Sequence, residues 1–408
     1  MKRTIPIITL SLLFVVVCFA GSTDTVEHVA IVEVSSPEPA PAMNQTKPLV
    51  QMAILLDTSG SMQGLIEQAK TELWAIVNEF IFAKRNNMAP EVQVALYEYG
   101  KDSLAAKDGY IRQIVPFTTD LDKISEELFA LKTNGGQEYC GWVIQEATKS
   151  LDWSNSFDDL KVIFIAGNEP FTQGKVDYNK SCKEAIARGI IVNTIHCGSE
   201  SDGLNGHWKN GAVLADGSFL NIDQNRQVAH IDAPQDKEIA ELSLKLNDTY
   251  IAYGSMGGMR FNRQAQQDTN ASNLSQQAAI QRSVAKSSFN YKNSDWDLVD
   301  ALKDKVVKLE ELEDEELPEN MQEMTNEERK AYADSKAAER SEIQKRIQEL
   351  NIEREKFVQA EVQKQASSQD TLGSAITKTV RQQAIKKNFA FEKPQAEVTS
   401  NPQTEGSK

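Results

Sequence analysis

Histidine and cysteine are scarce, with four of each in 408 residues. The histidines (His28, His196, His207, His230) fall into no spacing that pairs a base with a nucleophile, and no Gly-x-Ser-x-Gly elbow accompanies them. The cysteines (Cys18, Cys140, Cys182, Cys197) show no zinc-binding spacing. Positive charge is also short: 44 Lys and Arg stand against 59 Asp and Glu, a formal net charge of −15. A chain so acidic, with no basic patch, does not suit nucleic acid as a partner. Beyond the first twenty residues no apolar run is long enough to span a bilayer.

That first stretch reads as a secretory leader. Lys2 and Arg3 precede an apolar run from Ile5 to Phe19, and Cys18-Phe19-Ala20 before Gly21 is a small-x-small cleavage signal. The leader is of bacterial type and predicts export, to the periplasm or the cell surface. Lipidation of Cys18 is the lesser alternative, because the valine before it fits a lipobox poorly. Export makes a disulfide plausible, but three remaining cysteines leave at least one unpaired. Residues 21–48, rich in Ser, Pro, Ala, Thr and Glu, read as an extended linker.

The chain is organised around Leu49 to Met62. An apolar run, the mark of a buried parallel strand, ends at Asp57, and Ser59 and Ser61 follow at alternate positions around Gly60. Helical periodicity begins at Gln63. The three side chains therefore leave the carboxyl end of a strand, the edge where open α/β sheets bind ligands. One carboxylate and two hydroxyls are hard oxygen donors suited to Mg²⁺, Mn²⁺ or Ca²⁺. The plain alternative is a polar turn in which Ser59 or Ser61 caps the helix.

Asp57-Thr58-Ser59-Gly60-Ser61 resembles the metal-ion-dependent adhesion site (MIDAS) of von Willebrand factor type A domains. The resemblance covers roughly residues 49–255. It implies a doubly wound, mostly parallel, Rossmann-like α/β domain that binds protein ligands through a metal on its top face. In that family a second loop supplies a threonine and a third an aspartate. Here Gly135-Gly136 are followed by Gln137-Glu138, so Glu138 is the candidate donor and Thr133 its alternative. A glutamate there adds charge at the metal and reduces the need for an acidic ligand. On the third loop the aspartate position falls on Gly167, with Asn168 or Glu169 left to reach the metal. The resemblance implies a partner whose Asp or Glu, or another oxygen, fills the open position. Gly60, Met62, Gln137, Glu169, His207 and Trp208 are the candidate partner-binding residues, the last two as exposed groups on an insertion at 198–233.

Strands at 92–99, 110–117, 161–166 and 190–196 alternate with helices, and 249–253 is expected to close the sheet. Residues 256–294, poor in large apolar side chains, read as a polar linker. Residues 295–392 read as an α-helical, partly coiled-coil hairpin turning at Pro318, with a capping box at Thr325 and Glu328, and a route to self-association. The tail at 393–408 reads as disordered. The function expected is that of an exported, non-enzymatic binding protein. The alternatives are a scaffold whose helices make the contacts and, more remotely, a metal-assisted hydrolase.

Overall fold

Residues 47–223, 231–364 and 372–391 are described by a computed structural model. The leader at 1–20, all but the last two residues of the 21–48 linker, and the tail at 393–408 lie outside the described residues.

The chain runs through β1 (Leu49–Asp57), α1 (Gln63–Asn78), β2 (Glu91–Tyr99), β3 (Ile111–Thr118), α2 (Leu121–Ala130) and α3 (Cys140–Ser150). It continues with β4 (Leu160–Gly167), α4 (Tyr178–Ala187), β5 (Ile190–Cys197), α5 (Glu200–Asn205), α6 (Trp208–Val213) and β6 (Phe219–Ile222). The strands form one sheet in the order β3-β2-β1-β4-β5-β6. All pairings are parallel except β2 with β3. The chain leaves β1 toward one edge and returns to β4 on its other side, so a crevice opens at the carboxyl ends of β1 and β4.

β1 is covered on both faces, which is why its apolar residues run without interruption. Val50, Met52, Ile54 and Leu56 face a layer that includes α1 and α2. Ala53 and Leu55 face the layer built by α3 and α4.

The end of the sheet differs from the expectation. The sixth strand is β6, and 249–253 is not a strand: apart from one bridge at Ala252, its backbone is taken up by Asp297 and Trp296. The insertion read at 198–233 contains α5, α6 and β6.

The polar linker expected at 256–294 is instead largely helical, α8 (Gly257–Leu274) and α9 (Gln276–Lys286), and these helices follow α7 (Asp236–Asn247) onto α1 and α2. Its polar side chains are the packing. Arg282 is buried, pairs with Asp122 at 2.7 Å and Asp268 at 2.5 Å, and lies over the Trp74 ring at 4.7 Å. Lys286 is fully buried on Asp268.

The C-terminal region is helical, but it is not the expected hairpin. Pro318 precedes the single turn α11 (Glu319–Gln322), which follows α10 (Leu298–Lys303). The long α12 (Asn326–Lys364) packs on α7, α9 and α10. Arg340 fastens it, pairing with Asp297 at 2.6 Å over the Tyr250 ring. Ile343, Ile347 and Leu350 of α12, with Ile376, Val380 and Ala384 of α13 (Leu372–Lys386), belong to the same apolar cluster as Val50 and Leu56. The stripe read as a coiled-coil seam is the stripe that docks on the sheet domain.

Candidate metal centre

Asp57 ends β1 and is fully buried. Its Oδ1 accepts the Ser59 backbone N–H at 2.7 Å, while its Oδ2 is buried with no hydrogen-bond donor. Burial pushes the carboxyl up to about 7; the Ser59 hydrogen bonds oppose this, and Glu138 and Glu169 add to it. A buried carboxylate oxygen without a donor is costly, and a cation is what relieves it. The N-cap of α1 is Met62, whose side chain makes no capping bond, so neither serine occupies the capping position. Ser59 Oγ lies 3.4 Å from Ser61 Oγ.

The second loop is laid against this turn by its backbone. Asn134 N–H donates to the Thr58 carbonyl at 3.2 Å. Gly136 sits so close to β2 that a Cβ there would lie 1.6 Å from the Gly100 carbonyl oxygen. Gly100 itself has φ +84°, and a Cβ on it would stand 2.8 Å from Glu138 Cγ and 2.9 Å from Asp57 Oδ1. Both glycines are therefore required for Glu138 to close on Asp57. Glu138 is buried, and its carboxyl is raised to about 7 by burial and by Glu169, with Ser59 opposing the shift. Thr133 instead donates its hydroxyl to Gln63 at 3.3 Å.

On the third loop, Asn168 Nδ2 donates to Ser61 Oγ at 3.1 Å, which leaves Asn168 Oδ1 buried without a partner. Glu169 is half-buried, and its carbonyl accepts the Trp208 indole N–H at 2.9 Å. Gly60, Gln137 and His207 are exposed. Two expected partner-binding residues are not surface groups. Met62 is fully buried among the core side chains beneath α1, and Trp208 is fully buried against Phe171, with ring centroids 4.9 Å apart. Trp208 supports the third loop from beneath.

One residue that shapes the site was not anticipated. Tyr99 is buried under the third loop and donates its hydroxyl to the Ala166 carbonyl at 3.0 Å. Its only sequence signal is its place as the last residue of a buried strand.

Asp57, Ser59, Ser61, Glu138 and Asn168 thus gather carboxylate, hydroxyl and amide oxygens around two buried oxygens that lack partners. That donor chemistry fits a hard divalent cation. Among the described residues no three His, Cys, Asp or Glu side chains form a metal-holding group, so a site here depends on the hydroxyl and amide oxygens. Cys140, Cys182 and Cys197 are buried and free. Burial raises all three thiols, Cys182 to about 12, which keeps thiolate ligation away from this region.

No curated protein matches the chain. Among solved structures it is similar to BatB of Bacteroides thetaiotaomicron, with 17% identity over 43% of this chain and 90% of that one, TM-score 0.33. It is similar to the vWF domain of the pili tip protein Mfa5 of Porphyromonas gingivalis, with 12% identity over 44% and 90%, TM-score 0.32. It is also similar to the mussel byssus proximal thread matrix protein 1 with a zinc-occupied MIDAS motif, with 14% identity over 44% and 43%, TM-score 0.34. The assignment comes from the sequence itself, through the family model of the von Willebrand factor type A domain, which matches residues 51–206. Those residues, with the parallel sheet and flanking helices they build, are a von Willebrand factor type A domain.

Proposed function

We propose that this chain is an exported binding module that holds Mg²⁺, or Mn²⁺ or Ca²⁺ in its place, at the carboxyl edge of the sheet and engages a protein partner there. The observation that carries the reading is Asp57 Oδ2, a buried carboxylate oxygen with no donor, beside the Ser59 and Ser61 hydroxyls. Asp57, Ser59, Ser61 and Glu138 would hold the ion, with Asn168 Oδ1 the remaining unpartnered oxygen. A bound cation supplies an electrophilic position to an oxygen of the partner. The exposed Gly60, Gln137 and His207, with half-buried Glu169, form the surrounding surface.

Export rests on the leader sequence, Lys2 to Ala20. Among the described residues no helix is long and apolar enough to cross a membrane. Binding is favoured over catalysis because the site holds no nucleophile paired with a base. The scaffold reading, in which the helical region reaches out to partners, is weakened by the packing of that region onto the sheet domain's own core.

The test is calorimetric titration of Mg²⁺, Mn²⁺ and Ca²⁺ into the leaderless full chain beside Asp57→Ala. Binding by the wild type that the variant loses supports the reading. A wild type that takes up none of the three ions sinks it.

A further inference from the structure

Lys286, the last residue of α9, is fully buried, and its Nζ is turned onto two side chains. It donates to Asp268 Oδ2 at 2.7 Å and to the carboxamide oxygen of Asn247, the last residue of α7. Asn247 Nδ2 donates to the same Asp268 oxygen at 2.8 Å. Amine, carboxamide and carboxylate therefore close a triangle in which one carboxylate oxygen is bonded to both nitrogens. Arg282 holds the other oxygen, Oδ1, at 2.5 Å, which fixes the carboxylate and leaves Oδ2 to the pair. Lys161, also buried, is the contrast: it spends its Nζ on the backbone carbonyls of Ser154 and Arg188, at 2.7 and 2.8 Å.

A lysine that gives up its proton becomes a nucleophile. Burial lowers the Lys286 ammonium from its ordinary range, and Asp268 opposes this. One proton passed from Nζ to Oδ2 along their hydrogen bond turns the ion pair into an amine and an acid without changing the charge of the buried site. Carboxamides resist amines in water. Here the amine and the carboxamide are held in contact, and a proton carrier touches both nitrogens.

We infer that Lys286 and Asn247 join in an isopeptide bond, with Asp268 as the catalytic residue. Lys286 Nζ attacks Asn247 Cγ, Asp268 takes a proton from Nζ and delivers one to Nδ2, the Cγ–Nδ2 bond breaks and ammonia leaves. One C–N bond replaces another, nothing is oxidised or reduced, and no co-reactant is needed. The bond ties the end of α7 to the end of α9 and closes residues 247–286, which contain α8, into a ring. It does not depend on the metal reading.

The experiment takes the intact mass of the denatured leaderless full chain, then digests it with trypsin. The expected wild type is lighter than its sequence by one ammonia and yields a branched peptide joining Leu246–Arg260 to Ser283–Lys292, uncut at Lys286. Lys286→Arg and Asp268→Asn are expected at their full sequence masses. A wild type at its full sequence mass overturns the inference, and needs no variant to fold. Ammonia loss that persists in Lys286→Arg also overturns it, and assigns the loss to ring closure at Asn247-Asp248. A branched peptide still formed by Asp268→Asn removes Asp268 from the chemistry.

Discussion

The hydroxyl of Tyr99 occupies the space that a side chain at position 167 would need. A Cβ on Gly167 would lie 2.6 Å from Tyr99 Oη and 3.1 Å from Asp57 Oδ2. An aspartate therefore cannot be restored here by a single substitution. Gly167→Asp is expected to destabilise the chain by about 1–3 kcal/mol through overpacking, without gain in Mg²⁺ affinity. Urea denaturation and calorimetry on the variant check both halves. Tighter Mg²⁺ binding would show that the tyrosine yields.

Asp57 sets a pH dependence in the metal-free protein. Its folded carboxyl sits at about 7 against 3.8 unfolded. Between those values the folded state holds a proton that the unfolded chain has released. The ion-free protein therefore loses stability as pH rises from about 4 to about 7, with the full cost present above that. Asp57→Asn removes the charge and keeps the shape. At pH 8 in chelator it is expected to be more stable than the wild type by about 1–3 kcal/mol, since each tenfold change in proton affinity is worth roughly 1.4 kcal/mol and the site relaxes in part. Added Mg²⁺ should raise the melting temperature of the wild type only. A variant less stable than the wild type in chelator would mean that Asp57 supports the fold by its charge.

The parts of this molecule legible in the sequence are those with a local signal. Leu49 to Asp57 is apolar throughout because both faces of β1 are covered, and the Asp57-x-Ser59-x-Ser61 spacing marks the turn without reference to the rest of the chain. Arg282 gives no such signal: a charged residue in a Gln-, Asn- and Ser-rich stretch reads as solvated until Asp122, Asp268 and Trp74 are seen around it. Trp208 fails for the opposite reason. It opens the short helix α6 on an insertion without clear periodicity, and only the folded chain places Phe171 and the Glu169 carbonyl beside it. Glycine spacing hinted at a tight second loop, but that Gly136 rests on the Gly100 carbonyl is a long-range contact outside any periodicity.

The Arg282 cluster yields a stability prediction. Burial works against the charge on Asp268, yet Arg282 and Lys286 hold its carboxyl down at about 2. Asp122 is buried and accepts from both Arg282 and the Tyr291 hydroxyl, the latter at 2.6 Å. Arg282→Met would leave both carboxylates short of a buried partner. A loss of about 3–5 kcal/mol is expected, as for other broken buried pairs. Because the folded pKa of Asp268 is depressed, its share is present above pH 4 and fades as pH falls toward 2. Denaturation at pH 7 and pH 3 should show a smaller difference between variant and wild type at the lower pH. An equal difference at both would assign the loss to packing against Trp74.

The sheet domain and the helices after residue 256 stand or fall together. Ile280 and Val284 of α9, Ile376 and Val380 of α13, and Phe389 beyond it are all buried in the cluster that contains Val50, Leu56 and Leu73. Burying each such side chain contributes about 1.5–3 kcal/mol, so the five together rival the whole stability of an ordinary domain, about 5–15 kcal/mol. They also cover α1, the helix that follows the Asp57–Ser61 turn. A chain ending at residue 256 is expected to be aggregated or to lack a cooperative unfolding transition, and so to lose metal binding through loss of fold. Circular dichroism and urea melts of residues 47–256 beside the leaderless full chain check this. A truncated protein that melts cooperatively and binds Mg²⁺ with unchanged affinity would make the C-terminal helices a separable layer, and would return them to consideration as a partner-binding surface.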